Sequence, residues 1–370
     1  MGSTETIGAQ EKQSATVLPA FYCPIGPAMH PDAHDINAQS TAWMYRFGLG
    51  ADDASRRRMI HTRSGYWAAR MCPTARPEPL RVLSDYSLWT FAFDDEYCDE
   101  GELRDKPGEL ARAVVRIHRS AEVGEELYPS DKYGAALWDV RTRMEALVGV
   151  HQTARFTNAL TRYFLVETQG AGFNARADHP RLDEYMLYRL STGGGHLLPE
   201  LMTIIAERTL PPDLLEHRPV RAITEMSAAL ATLATDVASY RKERARTDGP
   251  PNIVDAIRAE YDCSEEQALE LAMRIWDRIM TLFLRLRDHL VSATPALADY
   301  LHVIAQYVRG VVDMSVATAR YRYADGEGGD EIMQTSGSGL HPHPRDDSTA
   351  PLSIPCIAWW WQYDPASTAK

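Results

Sequence analysis

Five acids fall within seven residues in the stretch FAFDDEYCDE (91–100): Asp94, Asp95, Glu96, Asp99 and Glu100. Carboxylates this close repel one another unless they face solvent or a cation. No lysine or arginine is interspersed, and the aromatic residues Trp89, Phe91 and Phe93 lead into the cluster. Oxygen donors in such a group suit Mg²⁺, which takes one or two carboxylates together with water and substrate phosphate. The residues alone leave two readings, a solvated helix end or a metal site at the lip of an apolar pocket. Helical spacing places Asp95 and Asp99 on one face, with Asp94 one residue's rotation away.

A second stretch, TDVASYRKE (235–243), carries Thr235, Ser239 and Glu243 at intervals of four, so the three share a helix face. Asp236 sits one step round, and Arg241 and Lys242 lie beside the same acids. An ordinary amphipathic helix with an internal Lys–Glu pair accounts for this stretch taken singly. The two stretches together describe facing helices with oxygen ligands at one mouth of a bundle.

The elements that must hold them are helices. From about residue 36 the apolar spacing is helical for nearly 290 residues, and alternating strand patterns are nearly absent. Ser264 and Gln267 form a capping box at one helix start. Residues 181–207 read as one helical stretch. No fixed-period repeat is present. Roughly ten helices joined by short Pro/Gly breaks predict a single large all-α domain over residues 19–324. Residues 1–18 read as a disordered tail, and 21–35, with three prolines, as an extended lead-in. The Gly-, Ser- and Pro-rich residues 325–351 read as a mobile linker. Residues 352–370 return three consecutive tryptophans, which either pack back on the body or cover an opening.

Composition narrows the partners. The 370 residues carry a net charge of −12, which argues against nucleic acid but not against a phosphorylated substrate met through metal ions. Hydrophobic residues make up 45% of the chain, enough for a sizeable core. The five cysteines are odd in number and widely spaced with no CxxC pair, which suits a reduced, cytoplasmic setting without a zinc site or disulfide framework. No apolar run approaches the roughly 18 residues of a membrane span, so no membrane partner is expected.

With both acidic stretches in view, the chain resembles the bacterial class I terpene synthases (terpene cyclases). Asp94, Asp95 and Asp99 match their aspartate-rich motif, of the DDxxD or DDxxxD type. Asp236, Ser239, Lys242 and Glu243 match the second metal motif, (N/D)Dxx(S/T)xxxE, with Thr235 where Asn or Asp is usual. Arg189 stands 46 residues before Thr235, at the family's arginine, and Thr192 and Gly193 match the short helix-break segment that follows it. Arg320 and Tyr321 supply the Arg–Tyr pair found about 80 residues beyond the second motif. The resemblance covers roughly residues 20 to 325.

The resemblance implies the helical bundle of the class I terpenoid synthase type and a linear isoprenyl diphosphate as substrate, farnesyl or geranylgeranyl diphosphate foremost. It implies three Mg²⁺ ions, with Mn²⁺ able to substitute, held by Asp94, Asp95, Asp99, Thr235, Asp236, Ser239 and Glu243. Arg189, Lys242, Arg320 and Tyr321 would bind the diphosphate and act in its departure, and Thr192 and Gly193 would form the effector segment. Trp89, Phe91 and Phe93 are pocket candidates beside the metal site. Met186, Tyr188, Met314 and Tyr323 flank motif residues, and core packing accounts for them. A homodimer is among the assemblies such a chain can form. The rival readings are a chain-elongating prenyltransferase, which normally has two DDxxD motifs, and a non-catalytic isoprenoid-binding protein, suggested by Thr235.

Overall fold

The computed structural model describes residues 19–176, 179–244, 251–322 and 339–367. Sixteen α-helices, several of a single turn, and two paired two-residue strands are found among them. In chain order these are β1 (Phe21–Tyr22), α1 (Ala33–Phe47), α2 (Asp53–Thr62), α3 (Ser64–Met71), α4 (Pro77–Phe93), α5 (Pro107–Val123), α6 (Lys132–Val148), α7 (Val150–Arg176) and α8 (Leu182–Arg189). There follow α9 (Leu197–Ile205), α10 (Pro212–Leu215), α11 (Arg218–Arg244), α12 (Ile253–Tyr261), α13 (Glu265–Ala293), α14 (Ala298–Ala317), α15 (Ala319–Arg322), β2 (Leu340–His341) and α16 (Pro355–Ala358). The all-α expectation holds.

Local chemistry explains the boundaries that matter for the site. α4 has proline in its first turn, where the missing N–H goes unneeded, and α13 begins at the capping box of Ser264 and Gln267. α11 is buried on every side from Glu225 to Ala234 and, Thr235 apart, on to Tyr240, as befits a helix at the centre of the bundle. It packs against α13 and α14, while α3 lies between α14 and α4. The helical stretch over 181–207 divides into α8 and α9 at the helix-break segment matched by Thr192 and Gly193, where the chain turns through Gly193 and Gly194, whose φ angles are +57° and +85°.

The C-terminal residues are fastened to the outside of this bundle. β2 pairs in parallel with β1, Phe21 opposite Leu340, and Arg345 donates to Asp277 and to the Ala20 carbonyl. Residues 339–351 fall in the segment read as a mobile linker, yet these bonds hold them to the body; a Gly/Pro-rich composition does not register such long-range partners. Ile357, Trp360 and Trp361 join the apolar core, and the fully buried Asp364 takes two bonds from Arg285, at 2.9 and 2.6 Å. The tryptophan cluster therefore packs on the body. The tail 1–18, residues 325–338 of the linker and Tyr323 lie outside the described residues.

Candidate active site

A chamber opens between α3, α4, α7, α9, α11 and α14. Its lower walls are apolar and aromatic, among them Trp67, Met71, Phe91, Ala171, Leu198 and Val311. Its other end is polar, where α4 continues into a π-helical turn, Asp94–Asp99, opposite the last turns of α11.

That π-helical turn changes which acids face inward. The Glu100 N–H donates to the Asp95 carbonyl at 3.0 Å, spanning five residues rather than four. The widened turn brings Asp94, Cys98 and Asp99 to the chamber wall, while Asp95 turns away from it. The expectation that Asp95 and Asp99 share a face assumed a regular α-helix and does not hold. Arg320 grips both oxygens of Asp95, at 3.0 and 2.6 Å, and its guanidinium carbon lies 4.9 Å from the Phe91 ring centre. Burial alone would raise the Asp95 carboxyl, but the Arg320 charge outweighs it and holds the group below the usual range. Asp95 thus anchors Arg320 at the rim, with Tyr321 beside it, buried and edge-on to Trp67.

The acids that do face the chamber are electrostatically unsettled. Burial and the neighbouring Glu167 charge push Asp94 up to about 7. Burial and the Asp94 charge raise Asp99 well above its ordinary value. Glu167, on α7, is also pushed up to about 7, mainly by burial, although the Thr192 hydroxyl donates to it at 2.5 Å. Ligand atoms of Asp94, Cys98 and Glu167 lie within 4.8 Å of one another.

Across the mouth, α11 presents Thr235, Asp236, Ser239, Lys242 and Glu243 to the same space. Arg189 reaches over from the end of α8 and pairs with Asp236 at 2.6 Å. It also donates to the Thr232 carbonyl and to the Thr235 hydroxyl oxygen, each at 3.2 Å. Tyr185 donates to the other Asp236 oxygen at 2.6 Å. Thr235 in turn donates to the Thr232 carbonyl at 2.8 Å, so its hydroxyl is engaged on both sides. Asn252, the N-cap of α12, donates to Glu243 at 2.8 Å and to the Asp236 carbonyl at 3.0 Å, fixing the end of α11. Burial raises the Glu243 carboxyl.

Thr192 and Gly193 line the chamber, as does Phe91, but Trp89 and Phe93 do not. Those two are fully buried and stacked on each other, with ring centres 5.0 Å apart, and Trp89 donates to the Tyr133 carbonyl. They are core residues, because they lie four apart on one face of α4, while Ser87, Thr90, Phe91 and Asp94 form the face that meets the chamber. Tyr188, read as core packing, lines the chamber, while Met186 and Met314 are core. Glu167 and Asn252 were missed. Glu167 had a signal, since it interrupts the apolar stripe of Tyr163, Phe164, Gly170 and Ala171 on α7.

The donor set fits a hard divalent cation. Asp94, Asp99, Ser239 and Glu243 are oxygen ligands converging on one mouth, and the raised carboxyls of the three acids mark a site that positive charge would relieve. Asp95 and Asp236 already have arginine partners.

Known proteins resemble this chain in sequence and in fold. Residues 85–281 match the family described as terpene synthase family 2, C-terminal metal binding. The chain is 33% identical over 350 residues to a germacradien-6-ol synthase of Streptomyces pratensis, covering 94% of this chain and 97% of that protein. It is 31% identical over 354 residues to a (+)-T-muurolol synthase of Streptomyces clavuligerus, covering 92% and 81%. The crystal structure of the SVS_A2 protein, from ancestral sequence reconstruction, superposes with a TM-score of 0.81 at 29% identity, covering 94% of this chain and 99% of that one. With two acidic helices and three basic side chains set at the mouth of an apolar chamber, and with this breadth of likeness, the chain belongs to the bacterial terpene synthase family.

Proposed function

We infer that the protein ionises a linear isoprenyl diphosphate, farnesyl or geranylgeranyl, and cyclises the resulting allylic cation to a terpene hydrocarbon or alcohol. The observation that carries this is the division of the chamber, with acids and arginines at its mouth and aromatic and aliphatic walls below. Asp94, Asp99, Ser239 and Glu243 would hold Mg²⁺, three ions being expected and Mn²⁺ able to substitute, with Thr235 at most a weak ligand because its hydroxyl is already engaged. Bound there, the ions supply positive charge to the diphosphate.

Arg189, Lys242, Arg320 and Tyr321 then bind its oxygens as the carbon–oxygen bond breaks and the bonding electron pair leaves with the diphosphate. Donors fixed in place before reaction act most strongly in a site shielded from water. Phe91 and Trp67, with ring centres 5.5 Å apart, line the chamber, and ring faces turned towards the hydrocarbon would stabilise the migrating positive charge. The cation ends by losing a proton, or by capturing one water molecule that then gives up a proton to leave the alcohol. The T-muurolol synthase is named for cyclising (2E,6E)-farnesyl diphosphate, which makes farnesyl diphosphate the first substrate to test and supports cyclisation over chain elongation or inert binding.

The test is incubation with geranyl, farnesyl and geranylgeranyl diphosphates and Mg²⁺, with analysis of volatile products. Asp94→Ala and Glu243→Ala should each lower turnover by several orders of magnitude with unchanged helical circular dichroism. Near-wild-type turnover in either variant would overturn the metal assignment.

A further inference from the structure

The reversal between α8 and α9 carries the site's Arg189 at its start, and its shape is not self-determined. Gly193, Gly194 and Gly195 follow one another, and glycine gives the backbone its widest freedom. A side chain at 195 would come within 2.3 Å of the Leu190 carbonyl oxygen, and one at 193 within 2.9 Å of the Arg189 guanidinium. The reversal and the guanidinium are therefore in contact, and a shift of one moves the other.

Two side-chain grips define this reversal. The inner one is the bond from Thr192 to Glu167. The outer one begins at the C-terminal segment. The fully buried Trp360 donates its indole N–H to Glu225 on α11 at 3.1 Å. The other oxygen of Glu225 stands 3.5 Å from His196 Nε2 and also receives Arg221 at 3.3 Å. The opposite ring nitrogen of His196, Nδ1, donates to the carbonyl of Leu190, the residue directly after Arg189, and lies 3.2 Å from the Ser191 hydroxyl. The same segment holds the start of α8, where the Cys356 N–H donates to Asp183 at 2.8 Å. Both ends of the short helix that presents Arg189 are thus tied to residues 356–360.

We propose that Trp360, Glu225 and His196 are positioning residues for diphosphate binding: the chain of contacts running from the C-terminal segment to the Leu190 carbonyl sets the reversal so that Arg189 faces the chamber. None of the three touches substrate. The inference rests on the reading of Arg189 as a diphosphate ligand.

A double-mutant cycle separates positioning from general stability. The readout is the affinity of inorganic pyrophosphate in Mg²⁺, measured by calorimetry on the full chain. Trp360→Phe removes the indole donor, and His196→Gln keeps a donor towards Glu225 but withdraws the one at Leu190. Each should weaken pyrophosphate about tenfold in the wild-type background and less than twofold in the Arg189→Ala background. His196→Asn places an amide where Nδ1 stands and should restore affinity to within about threefold of wild type.

Equal losses in the two backgrounds, or no loss at all, would overturn the proposal. If Trp360→Phe fails to fold, the His196 pair decides alone. If pyrophosphate binds Arg189→Ala as tightly as wild type, the diphosphate role of Arg189 falls and the inference with it. If Arg189→Ala weakens binding and the cycles are additive, only the inference falls.

Discussion

Removing one negative charge from the mouth of the chamber should stabilise the metal-free protein. Asp94 stands beside Glu167 and Asp99 in a buried setting that raises its carboxyl from 3.8 to about 7. A carboxyl whose folded-state value exceeds its unfolded one favours the folded state when protonated. The penalty therefore grows as pH rises from about 4 to about 7 and is constant above that. Its ceiling is about 4 kcal/mol. Asp94 is half-buried at an open mouth, so solvent screening should leave about 2 kcal/mol. For a chain of 370 residues, with an unfolding entropy of roughly 2.1 cal/mol/K per residue, that corresponds to a rise in Tm of about 3 °C. Asp94→Asn should show this rise at pH 8 without divalent ions, and less than half of it at pH 5. Differential scanning calorimetry with and without Mg²⁺ and pyrophosphate is the assay; on their addition the wild type should gain more than the variant. A Tm unchanged or lowered at pH 8, or a gain equal at both pH values, would refute the view that Asp94 is held under charge repulsion awaiting a cation.

Two further perturbations probe the partners of this site. Thr235→Asn should lower the Mg²⁺ concentration for half-maximal turnover, each tenfold decrease corresponding to about 1.4 kcal/mol; an unchanged or increased requirement would show that the site is built around the threonine, whose oxygen now serves Arg189. Asp364→Ala should lower Tm by about 3 °C and shift tryptophan emission to the red, because it strands Arg285 and loosens the segment holding Trp360 and Trp361; an unshifted spectrum would show that the apolar contacts suffice.

What could be read from the residues, and what could not, follows from the range of the interactions. Helix identity depends on spacing within a few turns, so the start of α13 was legible from its capping box. The pairing of the DDEYCD and TDVASYRKE stretches was legible because each is a short pattern on one helix. The π-helical turn was not, since one extra residue in a turn leaves no mark in the spacing of acids. The consequence was a mistaken inward face for Asp95, whose partner Arg320 lies 225 residues away. Trp89 and Phe93 failed for a related reason: adjacency to a motif says nothing of which side of a buried helix meets the cavity. Residues 339–351 look unstructured by composition, and distant partners, among them Ala20, Phe21, Asp277 and Arg278, give them a place.

The pairing of Phe21 with Leu340 has a consequence for the order in which the protein is made. At roughly 5–20 residues per second, the first strand leaves the ribosome about 15–60 s before its partner. Throughout that interval the edge of the first strand stays bare, and Asp277, which Arg345 covers in the finished molecule, is uncovered from its own synthesis until Arg345 follows. Bare edges recruit other chains. A nascent or clipped chain ending after Arg322 would carry every residue of the chamber and still display that edge. Such a product would contain the active-site residues but lack Trp360 and the cover that the C-terminal segment lays over the bundle.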